Sequence, residues 1–213
     1  MTTEMKLHLH NETKAENLYL AVYQRPLSGE PDGLNSIAWT VQPLGPGQSA
    51  DPVIYRFAYQ LWAAETTVVG DASRRTTLVD AAPGERWKFL QVDATFTAMH
   101  RAEEPATSHG YIELLNESPM MIDAGLAVDG RPLLVRERLG PQQIAAITPN
   151  HELCIAAIPE IHTGDALPAD MAKRPGAVID FLAAPGPVDR DVRVRDAADG
   201  AGGLTWQVTP HIH

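Results

Sequence analysis

The stretch DPVIYRFAYQLWAAET, residues 51–66, alternates large apolar side chains with smaller or polar ones. Side chains on a β-strand point to opposite faces with a period of two residues. Arg56 and Gln60 would lie on one face, and the other face would carry the large residues Val53, Tyr55, Phe57, Tyr59 and Leu61. Because aromatic and β-branched residues fit a pleated, half-buried surface, the pattern predicts one strand in the middle of a sheet.

Length and charge limit the kinds of protein that this chain can be. A chain of 213 residues buries roughly 70% of its unfolded surface, enough for an unaided core. This length fits one large β domain or two small ones, and we expect a single domain over residues 1–213. The 17 basic and 27 acidic residues give a net charge of −10, which disfavours binding to the phosphate backbone of a nucleic acid. The partners expected are small molecules or other proteins, and the oligomeric state is left open.

The chain shows no sequence signal for export or membrane insertion. Its N-terminal sequence MTTEMKLHLHNETK lacks the apolar run of a signal peptide. No stretch approaches the roughly 18 consecutive apolar residues of a membrane span. We expect a cytoplasmic protein with no membrane partner. The single cysteine, Cys154, lies in an apolar run and is expected to be a buried thiol.

Short apolar runs separated by proline, glycine, asparagine and aspartate continue along the chain, as in an all-β sandwich or barrel. A helix is predicted only around residues 168–173, where Pro168 fits the first turn. The first two strands are expected to form a hairpin, residues 98–110 a polar loop, and no repeat is visible at a fixed period. Further strands are predicted at 5–10, 18–24, 37–41, 87–97, 111–116, 120–128, 133–138, 144–147, 153–158, 177–182, 192–195 and 204–212. These features predict an antiparallel β-sandwich, jelly-roll-like or immunoglobulin-like, whose first and last strands can be neighbours.

Two His-x-His pairs, one near each end of the chain, form the constellation best suited to chemistry. On a strand, this spacing puts both imidazoles of a pair on one face, about 7 Å apart. If the terminal strands are neighbours, four imidazoles converge, and neutral imidazole binds zinc, copper, nickel or iron. Glu12 or Glu16 could add a carboxylate. The candidate metal ligands are His8, His10, His211 and His213. The competing interpretation is that these histidines only decorate the solvated face of the strands.

The first histidine pair invites comparison with the cupins, in which a glutamate follows the second histidine and a later motif adds another histidine. Glu12 lies too early and Glu16 slightly late for that glutamate. The segment Pro149-Asn150-His151 lacks the glycine of the later motif. A cupin-like metal-dependent oxygenase is therefore kept as the alternative, and whether the chain is an enzyme stays open.

The sequence lacks the other catalytic motifs that were considered. No glycine-rich loop lies between a strand and a helix, and no G-x-S-x-G elbow is present. The acidic pairs Glu103-Glu104 and Asp189/Asp191 are interpreted as solvated loop charges. The four tryptophans all fall in predicted strands, where packing in the core is their expected role.

Three ordered segments and the C-terminal end carry a family resemblance. Residues 18–24 (LYLAVYQ), 34–43 (LNSIAWTVQP) and 59–66 (YQLWAAET) resemble the motifs of the RhiA-type bacterial proteins. The ending Thr209-Pro210-His211 is similar as well. The resemblance implies a small, β-rich bacterial protein and no particular reaction. It implies a core position for Trp39 and Trp62, and for Glu65 a hydrogen bond from a backbone or tryptophan NH.

Two functional classes follow from these observations. The leading hypothesis is a binding or interaction protein that engages a small molecule or a protein through loops or a sheet face, without covalent chemistry. The alternative is a histidine-ligated metal protein or metal-dependent enzyme. Stoichiometric metal with an open coordination position would favour the alternative.

Overall fold

The computed structural model describes residues 4–27, 33–65, 78–92, 97–173, 175–181, 189–198 and 203–211. Within these ranges the chain forms seventeen strands and one short helix, α1 (Ala169–Ala172). The strands are β1 (Glu4–Asn11), β2 (Leu18–Tyr23), β3 (Leu34–Ser36), β4 (Thr40–Leu44), β5 (Val53–Arg56), β6 (Tyr59–Glu65), β7 (Val79–Asp80), β8 (Arg86–Gln91), β9 (Thr97–Arg101), β10 (Ile112–Asn116), β11 (Ile122–Val128), β12 (Arg131–Leu139), β13 (Ile144–Ile147), β14 (Glu152–Ala157), β15 (Ala177–Asp180), β16 (Arg190–Asp196) and β17 (Leu204–Pro210). The all-β prediction is confirmed.

The chain divides into two compact units. The first unit comprises Met1–Arg25, Ile37–Phe57 and His151–His213, and the second comprises Pro26–Ser36 and Ala58–Asn150. Most of the second unit, Ala58–Asn150, is therefore inserted between β5 and β14, and its other segment, Pro26–Ser36, lies between β2 and β4. That residues 1–213 form one domain stays a prediction.

The first unit contains two four-stranded sheets. Sheet 1 has the order β17-β16-β1-β5, and sheet 2 has the order β15-β14-β2-β4. Strands β1 and β16 run parallel, and the other pairings of the two sheets are antiparallel. In β1 burial alternates with period two, so that Met5, Leu7 and Leu9 face the core and the residues between them face outward.

The second unit also contains two sheets. Sheet 3 has the order β9-β8-β10-β13, and sheet 4 has the order β7-β6-β11-β12-β3. Strands β8 and β10 run parallel within sheet 3. One apolar cluster joins the two sheets, because it contains Phe89 and Leu114 of sheet 3 together with Leu61 and Leu126 of sheet 4. This unit is a sandwich with a shared core.

The prediction of one central strand across residues 53–62 is wrong. The alternation belongs to two strands, β5 at an edge of sheet 1 and β6 inside sheet 4, and the unit boundary falls between Phe57 and Ala58. Strand β5 buries alternate residues, whereas β6 buries four consecutive residues, 61–64, so only the sequence pattern continues through the break.

Two other local predictions are also wrong. Strands β1 and β2 form no hairpin, because they lie in different sheets. The predicted loop at 98–110 contains most of β9, which pairs with β8. The predicted helix is confirmed: α1 follows Pro168 directly. Among the described residues, no helix is long and apolar enough to cross a membrane.

Candidate metal-binding site

The site lies on the outer face of sheet 1, where β1 and β16 run side by side. Inward-facing leucines on β1 leave His8 and His10 pointing outward. The parallel register places His8 opposite Asp191 and His10 opposite Arg193. The period-two pattern of two neighbouring strands therefore brings two imidazoles and a carboxylate to one surface.

Asp191 is the centre of the hydrogen-bond network. Its Oδ1 atom lies 3.0 Å from His10 Nε2 and 3.0 Å from His211 Nδ1. An ionised carboxylate only accepts hydrogen bonds, so both of these ring nitrogens carry the proton. In the neutral ring, the lone pair of His211 is then on Nε2. His10 Nδ1 lies 2.7 Å from Ser49 Oγ and, in the neutral ring, accepts its hydroxyl proton.

His211 reaches this surface because the β16–β17 ladder continues past the last residue of β17. Its backbone N–H donates to the carbonyl oxygen of Asp189 at 3.1 Å. Its ring stacks on that of His8, with ring centroids 3.8 Å apart and planes inclined by 10°. The Nε2 atom of His8 is buried and has no hydrogen-bond partner. A buried, unpaired polar atom of this kind costs about 1–3 kcal/mol.

The electrostatics of the site favour a neutral His8 and an ionised Asp191. Burial, together with the neighbouring His211 ring, lowers the pKa of His8 from its ordinary value. Burial alone would raise the pKa of Asp191, but hydrogen bonds from His10 and His211 outweigh it and hold that pKa below its ordinary value. Neutral imidazole and ionised carboxylate are the forms that bind metal ions.

Three residues bring ligand atoms close enough to share one cation. Ligand-capable atoms of His8, Asp191 and His211 all lie within 4.8 Å of one another. The second aspartate oxygen, Oδ2, lies 3.8 Å from Nη2 of Arg193, which is beyond hydrogen-bond distance. Two imidazoles and one carboxylate are a donor set found at zinc and non-haem iron centres.

The structure brings part of the predicted ligand set together, but through a strand order that the sequence did not indicate. Strand β1 neighbours β16, and β16 lies between it and β17, so the first and last strands do not pair. His8 and His211 nevertheless meet, and His10 lies beside them as a partner of Asp191. His213 lies outside the described residues. Whether these histidines bind metal stays a prediction.

The carboxylate of the site is neither Glu12 nor Glu16, the two that the sequence suggested. Glu12 is engaged by Arg193 and Arg195, at 2.8 and 2.5 Å. The interpretation of Asp191 as a solvated loop charge is wrong, because it lies in β16 and is 9% exposed. The alternation in RDVRVRD, residues 190–196, is the signal that places this residue on a strand face.

A family model with the description RhiA matches residues 2–181. The chain belongs to the RhiA family. The match extends well beyond the three RhiA-like segments, which end at residue 66, and it stops before the C-terminal ending. Asp191 and His211 therefore lie outside the residues matched to RhiA. No curated protein and no solved structure matches the chain.

Two of the roles implied by the RhiA resemblance are confirmed. Trp39 is 2% exposed and meets Tyr55 edge-to-face, with ring centroids 5.1 Å apart. Trp62 is 7% exposed, and its indole N–H donates to the carbonyl oxygen of Leu126 at 3.1 Å. The expected hydrogen bond to Glu65, the last residue of β6, stays a prediction.

Proposed function

We propose that this RhiA family member is a binding protein that holds one transition-metal ion at His8, Asp191 and His211. The observation that carries the proposal is the convergence of three ligand-capable side chains from β1, β16 and the residue after β17. Such convergence needs long-range order, since Asp191 and His211 come from the opposite end of the sequence to His8. The proposal covers binding of the ion and includes no reaction.

The unpaired nitrogen of His8 supports this assignment. A half-buried histidine with no chemical role gains stability by hydrogen-bonding both ring nitrogens, and the Nε2 atom of His8 has no such bond. A cation would engage the lone pair of this nitrogen and relieve the cost of burying it. His10 would then orient the metal-binding carboxylate, as residues behind the ligands do in characterised metal sites.

The stacked rings indicate what must change when the ion binds. The lone pair of an imidazole nitrogen lies in the plane of its ring, and the planes of His8 and His211 are nearly parallel. Two parallel rings cannot direct their lone pairs at one ion, so at least one ring rotates. His211 follows the end of β17 and is the ring expected to move. Binding should therefore abolish the ring stacking.

The donor set favours borderline metals. Imidazole suits zinc, copper, nickel and iron, and a carboxylate is compatible with each of them, whereas magnesium and calcium prefer oxygen ligands alone. Three protein ligands leave at least one position for water or an exogenous ligand. The remaining ligand could come from a small-molecule or protein partner, and this partner stays a prediction.

Isothermal titration with Zn²⁺, Ni²⁺ and Co²⁺ tests the proposal on untagged protein that has been treated with chelator. We expect one equivalent to bind, and the Co²⁺ complex to show visible d–d absorption. His8→Ala and Asp191→Asn should abolish binding at this site. His10→Ala should retain the stoichiometry but weaken affinity about 10–100-fold, because it removes only an orienting contact.

The control is His162→Ala, a change to a histidine whose side chain is 80% exposed and pairs with Asp165. This variant should bind like the wild type. Binding that is weak and of several equivalents, or equally reduced in the control, would mean that surface histidines bind metal non-specifically. Absence of binding to the wild-type protein would end the metal proposal.

A further inference from the structure

The two units have the same strand topology. Sheet 1 (β17-β16-β1-β5) and sheet 3 (β9-β8-β10-β13) each contain an antiparallel pair, then a parallel pair, then an antiparallel pair. Sheet 2 (β15-β14-β2-β4) corresponds to β7-β6-β11-β12 of sheet 4, with every pairing antiparallel. Only β3, at the edge of sheet 4, has no counterpart among the described strands.

A buried asparagine occupies the same place in both units. Asn11 ends β1 and Asn116 ends β10, and each is 0% exposed. The side-chain oxygen of each accepts from the backbone N–H and hydroxyl two residues later, in Thr13 and Ser118. Each amide also donates to the carbonyl of a leucine at the end of a strand: Leu44 for the first unit and Leu139 for the second.

The loop that follows each leucine repeats the same sequence and geometry. Residues 44–48 read LGPGQ and residues 139–143 read LGPQQ. The fourth residue, Gly47 or Gln142, has a positive φ of 71° or 61° and donates to the carbonyl of the buried asparagine. A non-glycine residue at positive φ is uncommon, so the match at this position is specific.

We infer that the chain contains two copies of one eight-stranded segment. The outer surface of sheet 1 became a ligand site, whereas the equivalent surface of sheet 3 did not. One copy runs from β1 to β9 and the other from β10 to β17. Each unit combines the first four repeated strands of one copy with the last four of the other. The assignment of a ligand to this surface rests on the proposed metal-binding function, whereas the duplication does not.

The position equivalent to the site holds an ion pair in the second unit. The parallel register pairs Glu113 with Arg86, as it pairs His8 with Asp191. The Glu113 side chain is 1% exposed, and Arg86 Nε donates to it at 2.8 Å. Thr107, from the segment after β9, donates its backbone N–H to the same carboxylate at 2.9 Å. His211, just after β17, covers His8 in the corresponding way.

The neighbouring pair shows that the difference is local. Glu12 pairs with Arg193 in the first unit, and Glu117 pairs with Lys88 in the second, at 2.8 and 3.0 Å. The backbone N–H groups of Glu12 and Glu117 also make equivalent bonds across the parallel strands. The two units thus share a salt bridge next to the site but differ at the site itself, where one holds a closed ion pair and the other an unpaired imidazole.

A double-mutant cycle in the full chain tests this equivalence. His8→Glu and Asp191→Arg, made singly and together, introduce the ion pair of the second unit at the site. We expect the double variant to unfold at a higher denaturant concentration than either single variant. The unfolding constants should depart from multiplicativity by roughly 5-fold or more in the stabilising direction. Zn²⁺ and Co²⁺ titrations of the same variants should show no binding at the site.

Each outcome separates the two claims. Multiplicative unfolding constants, or a double variant less stable than the singles predict, would overturn the equivalence of the two positions. Stabilising coupling in a chain whose wild type binds no metal would leave the duplication standing and remove the proposed function. Metal binding retained by the double variant would overturn the assignment of the ligand to this surface.

Discussion

Replacing Asn116 with alanine tests the account of the buried asparagine. The side chain makes four hydrogen bonds: it donates to Met120 O at 2.7 Å and Leu139 O at 3.0 Å, and accepts from Ser118 N at 3.0 Å and Ser118 Oγ at 2.7 Å. At about 1 kcal/mol net for each bond, Asn116→Ala should cost about 4 kcal/mol. With a urea m-value of about 2 kcal/mol/M, the midpoint should fall by about 2 M.

Urea unfolding followed by tryptophan fluorescence and circular dichroism measures this loss. Asn11→Ala should cost a similar amount, because Asn11 makes the equivalent bonds, including one to Ala15 O, and one more to Gly45 O. Asn17→Ala is the control, since that asparagine is exposed and its loss should change stability by less than about 0.5 kcal/mol. If Asn116→Ala resembled this control, the reasoning that the asparagine joins a strand end to its loop would be refuted.

Three further experiments test the packing around Gly176, the burial of the Cys154 thiol and the ionisation of Glu113. Gly176→Ala should cost about 1–3 kcal/mol in unfolding free energy by thermal denaturation, because the new Cβ would lie 2.0 Å from the Trp206 ring. Burial raises the pKa of Cys154 to about 11, so alkylation at pH 8 should require denaturant, as mass spectrometry would show. Burial would raise the pKa of Glu113, but hydrogen bonds outweigh it and lower that pKa. The stability contributed by the carboxylate should therefore be present above the ordinary pKa of 4.5 and be lost as pH falls through the lower pKa of the folded state. Glu113→Gln should lose this pH dependence in urea titrations.

Local sequence predicted the elements of the fold better than their connections. The apolar run at 144–147 and the helix after Pro168 both appear in the structure. The break between Phe57 and Ala58 left no signal, because neither residue is a turn former and the alternation continues through it. Strand pairing depends on contacts between distant residues, which a periodic pattern does not encode.

The repeat has no fixed period in the sequence for a related reason. The offset between matching residues is 105 from Asn11 to Asn116 but 95 from Leu44 to Leu139, so no fixed period exists. The residues that match are those that fix the backbone: the buried asparagine, which hydrogen-bonds to backbone groups, and the LGP turn. The strands between them need only alternate apolar residues, and many sequences satisfy that requirement.

The candidate site was half predictable. The spacing of His8 and His10 placed both imidazoles on one face, and the structure agrees. Asp191 was missed because an acidic residue near a proline-rich loop resembles any solvated charge. Its role depends on the parallel pairing of β1 with β16, which joins strands from opposite ends of the chain.

The energetic contrast between the two units supports the proposal that the site binds a ligand. At one position the fold supports a buried carboxylate with a guanidinium and two donors from Thr107. At the equivalent position it holds an imidazole nitrogen that is buried and unpaired, an arrangement that costs about 1–3 kcal/mol. Since the same framework accommodates a satisfied pair, the unsatisfied one is not imposed by the fold. Departures from local consistency of this kind are expected where binding sets the residue, and filling the position with the second unit's pair should therefore raise stability while abolishing the proposed metal binding.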